Sequence, residues 1–164
     1  MLGAGLGYLT ARSQSTGAAT IAEAQHKHER ELARGERLYD RRASIYEEAI
    51  RFAQGMVAHV RATEPLIRFA GETEADLPPM PAPQEQWELQ ARLHTHGSVG
   101  VGDALDELVG DVRAFFAVAT TVRTIREHGG QMGDEPRQLN EVRGTVGEAL
   151  QRLQRRVSEE LSSL

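Results

Sequence analysis

Histidine is the only residue type in this chain whose spacing invites a test for a chemical site. His26 and His28 form one His-x-His pair, and His94 and His96 form another. On a helix, residues two apart point about 200° from each other, so neither pair can hold one metal ion in that form. Glu23-x-x-His26 has the spacing of one half of a di-iron site in a helix bundle. That chemistry requires a second Glu-x-x-His and two further inward glutamates. None of His59, His94, His96 or His128 has a glutamate three residues before it. No metal ligand set is therefore assigned. Cysteine is absent, which removes thiolate nucleophiles, thiolate metal ligands and disulfides together.

Glycine-rich stretches offer no phosphate cradle either. Gly3-x-Gly5-x-Gly7 misplaces the third glycine of a dinucleotide fingerprint and follows no strand. Gly97-Ser-Val-Gly100-Val-Gly102 leads into a helix, but Asp103, Asp106, Glu107 and Asp111 follow. Carboxylates at a helix start occupy the favourable end of its dipole and would repel an anionic ligand. Asp103 reads instead as the cap of that helix. With no Gly-x-Ser-x-Gly and no carboxylate pair set apart from the surface acids, the sequence assigns no catalytic, cofactor-binding or metal residue, and the expectation is a protein that is not an enzyme.

The elements that remain are helical. The 164 residues are 40 % apolar and only 5 % aromatic, so the core rests on Leu, Val, Ile and Ala, a composition suited to helix-on-helix packing. Thr20-Ile-Ala-Glu23 has the spacing of a capping box. No proline follows until Pro65, and the residues between predict one long helix over about 20–64. Leu32, Tyr39, Tyr46, Ala53 and Val60 recur at sevens along it, with Ala49 and Met56 between them. Ile50 and Val57 widen the line in the second half. The pattern predicts that the second half is buried in a bundle, and that residues 18–38 project or pair as a coiled coil. Gly35 and Gly55 inside it suggest a close approach or a kink.

Downstream, residues 65–83 read as a proline-rich linker. A short helix is expected over about 84–96, carrying Trp87, Leu89 and Leu93 and stopped by Gly97. Two longer, antiparallel helices follow. The first, about 103–128, carries Leu105, Leu108, Val112, Phe115, Ala119, Val122 and Ile125 and ends at Gly129-Gly130. The second, about 134–163, carries Leu139, Val142, Val146, Ala149, Leu150, Leu153, Val157 and Leu161. Gly144 and Gly147 there are expected to admit a tightly packed neighbour. The fold class is all-α, with residues 39–164 as the bundle.

Arg41-Arg42-Ala-Ser-Ile-Tyr46-Glu47-Glu48, set after a charged helix and an apolar leader, resembles a pattern found among bacterial single-pass helical proteins. There a membrane span leads into an Arg/Glu-rich helix and then a small helical domain. The resemblance covers about residues 1–55 and implies no activity.

Charge and the N-terminal segment bear on partners. Residues 26–42 hold six Arg/Lys against four acids. That excess is too small for a nucleic-acid face, so no nucleic acid is expected. Residues 1–17 form an apolar and then polar leader; Met1 to Ala11 spans roughly 16 Å as a helix, short of a bilayer core of about 30 Å. It reads as a leader or as the end of a membrane span whose other half lies upstream. The expectation from sequence is a non-enzymatic interaction or scaffold protein that self-associates through the long helix. Residues 1–11 would contact the membrane, placing the protein in the cytoplasm at the membrane's inner face. The alternative is a soluble helical module that binds a protein partner or small ligand between its helices.

Overall fold

The computed structural model describes residues 4–68 and 79–163, with side chains described at 23, 25–63 and 79–163. The described chain is a packed bundle of helices with no strand among the described residues. The helices are α1 (Ala4–Arg68), α2 (Pro83–His96), α3 (Val99–Glu127) and α4 (Glu135–Ser162). The chain divides into two compact units, Met1–Asp40 and Arg41–Leu164.

The first unit is the leading part of α1. The helix starts at Ala4, well before the capping box at Thr20. Nothing from Ala4 to Ala19 forbids a helix: no proline intervenes, and the glycines and serines lower propensity without blocking the ladder. A capping-box spacing marks a helix start only where the preceding residues leave helical geometry, and here they stay in it. Every described side chain from Glu23 to Asp40 is exposed.

In the second unit, the remainder of α1 packs against the other three helices. From Ile45 onward the heptad line is core: Ile45, Tyr46, Ala49, Ala53, Met56, Val57 and Val60 are buried, with Ile50 half-buried at its edge. Pro65 does not end the helix, which runs to Arg68. A proline in the closing turn costs one backbone bond rather than a kinked interior. The acidic part of the linker, 69–78, lies outside the described residues; residues 79–82 are non-helical. Pro81 lies 3.3 Å from where a Cβ on Gly55 would stand, so the glycine admits that close approach.

Helix α2 opens on Pro83 at its first turn, where the missing N–H has no partner to lose. The Glu85 carboxylate accepts the Ala82 backbone N–H at 3.3 Å. Its inner face is Gln86, Leu89 and Leu93. Trp87 lies about 200° around the helix from Leu89 and stands 67 % exposed. Gly97 closes the helix, its N–H donating to the Leu93 carbonyl at 2.8 Å. A Cβ there would fall 2.8 Å from that same oxygen, so glycine is required.

The cap of α3 is Ser98, not Asp103: the Ser98 hydroxyl accepts the Val101 N–H at 3.2 Å, and helix begins at Val99. Gly100 and Gly102 read as loop in the sequence but continue the helix, because a capped start tolerates weak helix formers in its first turns. The buried face runs through Val101, Leu105, Leu108, Val112, Phe115, Ala119 and Val122, with Ile125 half-buried. Gly129, at φ +66°, turns the chain after α3, and the Gly130 N–H donates to the Ile125 carbonyl at 2.9 Å. A left-handed residue at this position favours glycine.

Helix α4 buries Leu139, Val146, Ala149, Leu153 and Val157, flanked by Val142, Leu150 and Leu161. Gly144 and Gly147 do not receive a tightly packed neighbour, since a Cβ at either would meet nothing within 4 Å. The same holds for Gly35 in α1.

Candidate functional site

The histidines are dispersed. His26 and His28 are exposed on α1, where His26 Nδ1 lies 3.4 Å from the Glu29 carboxylate within one helical turn. His94 is exposed, and its Nδ1 lies 3.2 Å from the Gln90 carbonyl. His96 is half-buried, and its backbone carbonyl accepts from Arg42 Nε at 3.2 Å. That bond ties the start of the bundle portion of α1 to the end of α2. His59 packs its ring 5.5 Å from that of Phe116. Among the described residues, no group of three or more His, Cys, Asp or Glu side chains is arranged to hold a metal ion.

Two polar clusters sit inside the bundle unit. Between α1 and α2, Glu48 lies 2.6 Å from Arg92 Nη1 and flanks an open cleft of about 380 Å³ lined also by Phe52, Pro81 and Leu89. The Glu48 oxygen meets no hydrogen-bond geometry, so this contact is an ion pair set by distance alone. Between α3 and α4, Arg152 donates to both Glu107 oxygens, at 2.9 and 3.3 Å. It also lies 3.9 Å from Asp111 and 3.8 Å from Glu148. Asp111 titrates above the ordinary value of an aspartate. Burial is the largest cause, Glu107 and Glu148 add to it, and Arg152 opposes it. One guanidinium shared among three carboxylates joins two helices. Glu107 and Arg152 also line an open cleft of about 330 Å³ together with Asp103, Arg155 and Glu159.

One buried polar group has no place in these clusters. The Tyr46 side chain is fully buried, and its hydroxyl has no hydrogen-bond partner among the described residues. No sequence signal could have found it, because the same heptad position that demands burial also accepts tyrosine for its ring.

The first unit also carries exposed apolar side chains. Leu32, Leu38 and Tyr39 are 55 %, 54 % and 43 % exposed, with Gly35 between them. Leu32 and Tyr39 occupy the heptad position that Tyr46, Ala53 and Val60 fill in the core. The same line thus changes from exposed at Tyr39 to buried at Tyr46, one heptad further on. No family model, curated protein or solved structure matches the chain. No helix among the described residues is long and apolar enough to cross a membrane. The side chains of residues 1–11 lie outside the described residues.

Proposed function

We propose that this chain is a non-enzymatic helical interaction or scaffold protein of bacterial type, whose bundle carries a helix built to pair with another helix. The observation that carries this reading is the exposed apolar line at Leu32, Leu38 and Tyr39. Exposed apolar residues in register with a core seam are costly to leave in water, at about 25 cal/mol per Å² of surface that a partner would cover. A second copy is the simplest partner, forming a weak parallel coiled coil through Leu32 and Tyr39. In the same proposal, residues 1–11 attach to the inner face of the membrane and bring the starts of neighbouring helices together. Arg12, Lys27 and Arg30 then lie on the cytoplasmic side.

Sedimentation of the full chain and of a Leu32→Ser, Tyr39→Ser variant, each with and without anionic lipid vesicles, tests both parts. The expected result is concentration-dependent association of the wild type that the variant loses, and co-sedimentation of both with vesicles. A monomer at all concentrations that ignores vesicles refutes the reading.

A second reading, a module that binds a partner or small ligand between its helices, is favoured by the cleft at Glu48, Phe52 and Arg92. Its mixed lining suits a ligand with one charged and one apolar end. Protection of Glu48 and Arg92 from chemical modification by such a ligand would support it.

A further inference from the structure

The residues bordering the exposed line determine which helix fits it, and this inference rests on the interaction reading above. Set Leu32 and Tyr39 at the first seam position of a heptad; Gly35 then takes the second, and four positions border or oppose that seam. Glu29 and Glu36 border it on one side, and Glu31 and Leu38 on the other. The four Lys/Arg residues of 23–40 avoid the seam altogether. Lys27 and Arg34 lie about 130° from its middle, and Arg30 and Arg37 about 170° from it, at 100° per residue. Three of the five acids in this stretch therefore border the apolar line and none of the four cations does. All of these side chains are exposed.

That distribution keeps pairing of identical helices weak compared with pairing to a helix that carries cations at its borders. In a parallel pair, residues at the two bordering positions meet across the interface five residues apart, which sets Glu31 of each copy against Glu36 of the other, twice over. In an antiparallel pair with Leu32 set against Gly35 of the other copy, Glu29 meets Glu36 instead. Like charges at such positions select against the pairing that brings them together. A helix with Lys or Arg at its own bordering positions converts each repulsion into an attraction while keeping the apolar seam.

We propose that the partner best fitted to residues 28–39 is an amphipathic α-helix with apolar residues at heptad spacing and Lys/Arg on both borders, bound in preference to a second copy of this chain. The seam and its borders have different roles. Leu32 and Tyr39 supply the contact area, and Glu29, Glu31 and Glu36 select the partner.

Three labelled synthetic peptides of about four heptads test this by fluorescence anisotropy against the full chain. The first has Leu at seam positions and Lys at the borders, the second has Glu at the borders, and the third scrambles the first. The Lys-bordered peptide is expected to bind at least about tenfold more tightly than the other two, with the preference weakening as salt rises. A Glu29→Lys, Glu31→Lys, Glu36→Lys variant should invert the preference, and its far-UV melting curve should match the wild type because all three sites are exposed. Equal binding of the Lys- and Glu-bordered peptides overturns the proposed selectivity while leaving the interaction surface standing. Equal binding of the scrambled peptide shows that net charge alone acts, which also overturns it. If no peptide binds and the chain does not self-associate, the interaction reading falls with it.

Discussion

Replacing Tyr46 by phenylalanine removes one oxygen atom from the most fully buried large side chain of the bundle. The ring stays where it is, since its burial is complete and no void larger than a hydroxyl is opened. An ordinary buried hydroxyl contributes about 1 kcal/mol through its hydrogen bond, and its removal costs that amount. The Tyr46 hydroxyl meets no partner among the described residues. Folding therefore strips water from it without return, a penalty of about 1–3 kcal/mol for a polar group left unpaired. Part of that is offset by the contacts that the oxygen makes with its neighbours. The expected outcome is a gain of about 0.5–2 kcal/mol in Tyr46→Phe. For a unit of this size, that corresponds to a rise of roughly 2–8 °C in Tm. Urea unfolding followed by far-UV circular dichroism measures it. Fluorescence would not, because the only tryptophan, Trp87, is already 67 % exposed when folded. A loss of 1 kcal/mol or more refutes the reasoning, since it would mean that the hydroxyl holds a bond in solution.

Phe115→Ala and Leu153→Ala each empty a fully buried site and are expected to cost about 2–5 kcal/mol by the same urea titration. His26→Ala and His28→Ala, at exposed positions, should stay within about 0.5 kcal/mol of wild type; a large loss would reopen the question of a histidine site. Gly144→Ala, in a helix interior with open space around the new methyl group, should stabilise by up to about 1 kcal/mol in thermal melts. Asp111 has its folded-state pKa above the unfolded value, so its folded form binds a proton more readily. Its contribution to stability must then grow as pH falls through that raised pKa and is least favourable at neutral pH. Relative to Asp111→Asn, wild type should gain stability on acidification from neutrality into the upper carboxylate range; parallel pH dependences of the two proteins would refute the assignment.

The bundle was legible because its signal is repeated. Leu105, Leu108, Val112, Phe115, Ala119 and Val122 recur at three- and four-residue steps, and any one of them could be lost without changing the helix they define. Helix ends were less legible because each rests on a single local competition. Asp103 and Ser98 are both good caps, and the choice fell to Ser98 because Gly100 and Gly102 remained helical. Thr20 and Glu23 had the right spacing for a cap that the helical residues before them left unused. Trp87 is large and apolar, but Leu89 and Leu93 fix the inner face of α2 and turn it outward. The lone Tyr46 hydroxyl and the shared Arg152 depend on contacts between helices distant in sequence, and nothing local encodes them.

The heptad line of α1 carries two different meanings along one helix, and composition at the line itself does not separate them. Leu32 and Tyr39 are no less apolar than Ala49 or Ala53, yet the first pair is exposed and the second is core. What changes is the border. From Ile45 onward the neighbours of the line are Ile45, Ile50, Phe52 and Val57, which widen it into a stripe that three helices can cover. Before Arg41 the neighbours are Glu29, Glu31 and Glu36, with Leu38 the one apolar residue beside it, which leaves the line narrow. A line that narrow buries too little to hold against a layer of helices, but it matches the width of the contact between two helices in a coiled coil. The glutamates keep this part of the line narrow and, in the interaction proposed above, restrict which single helix can lie against it.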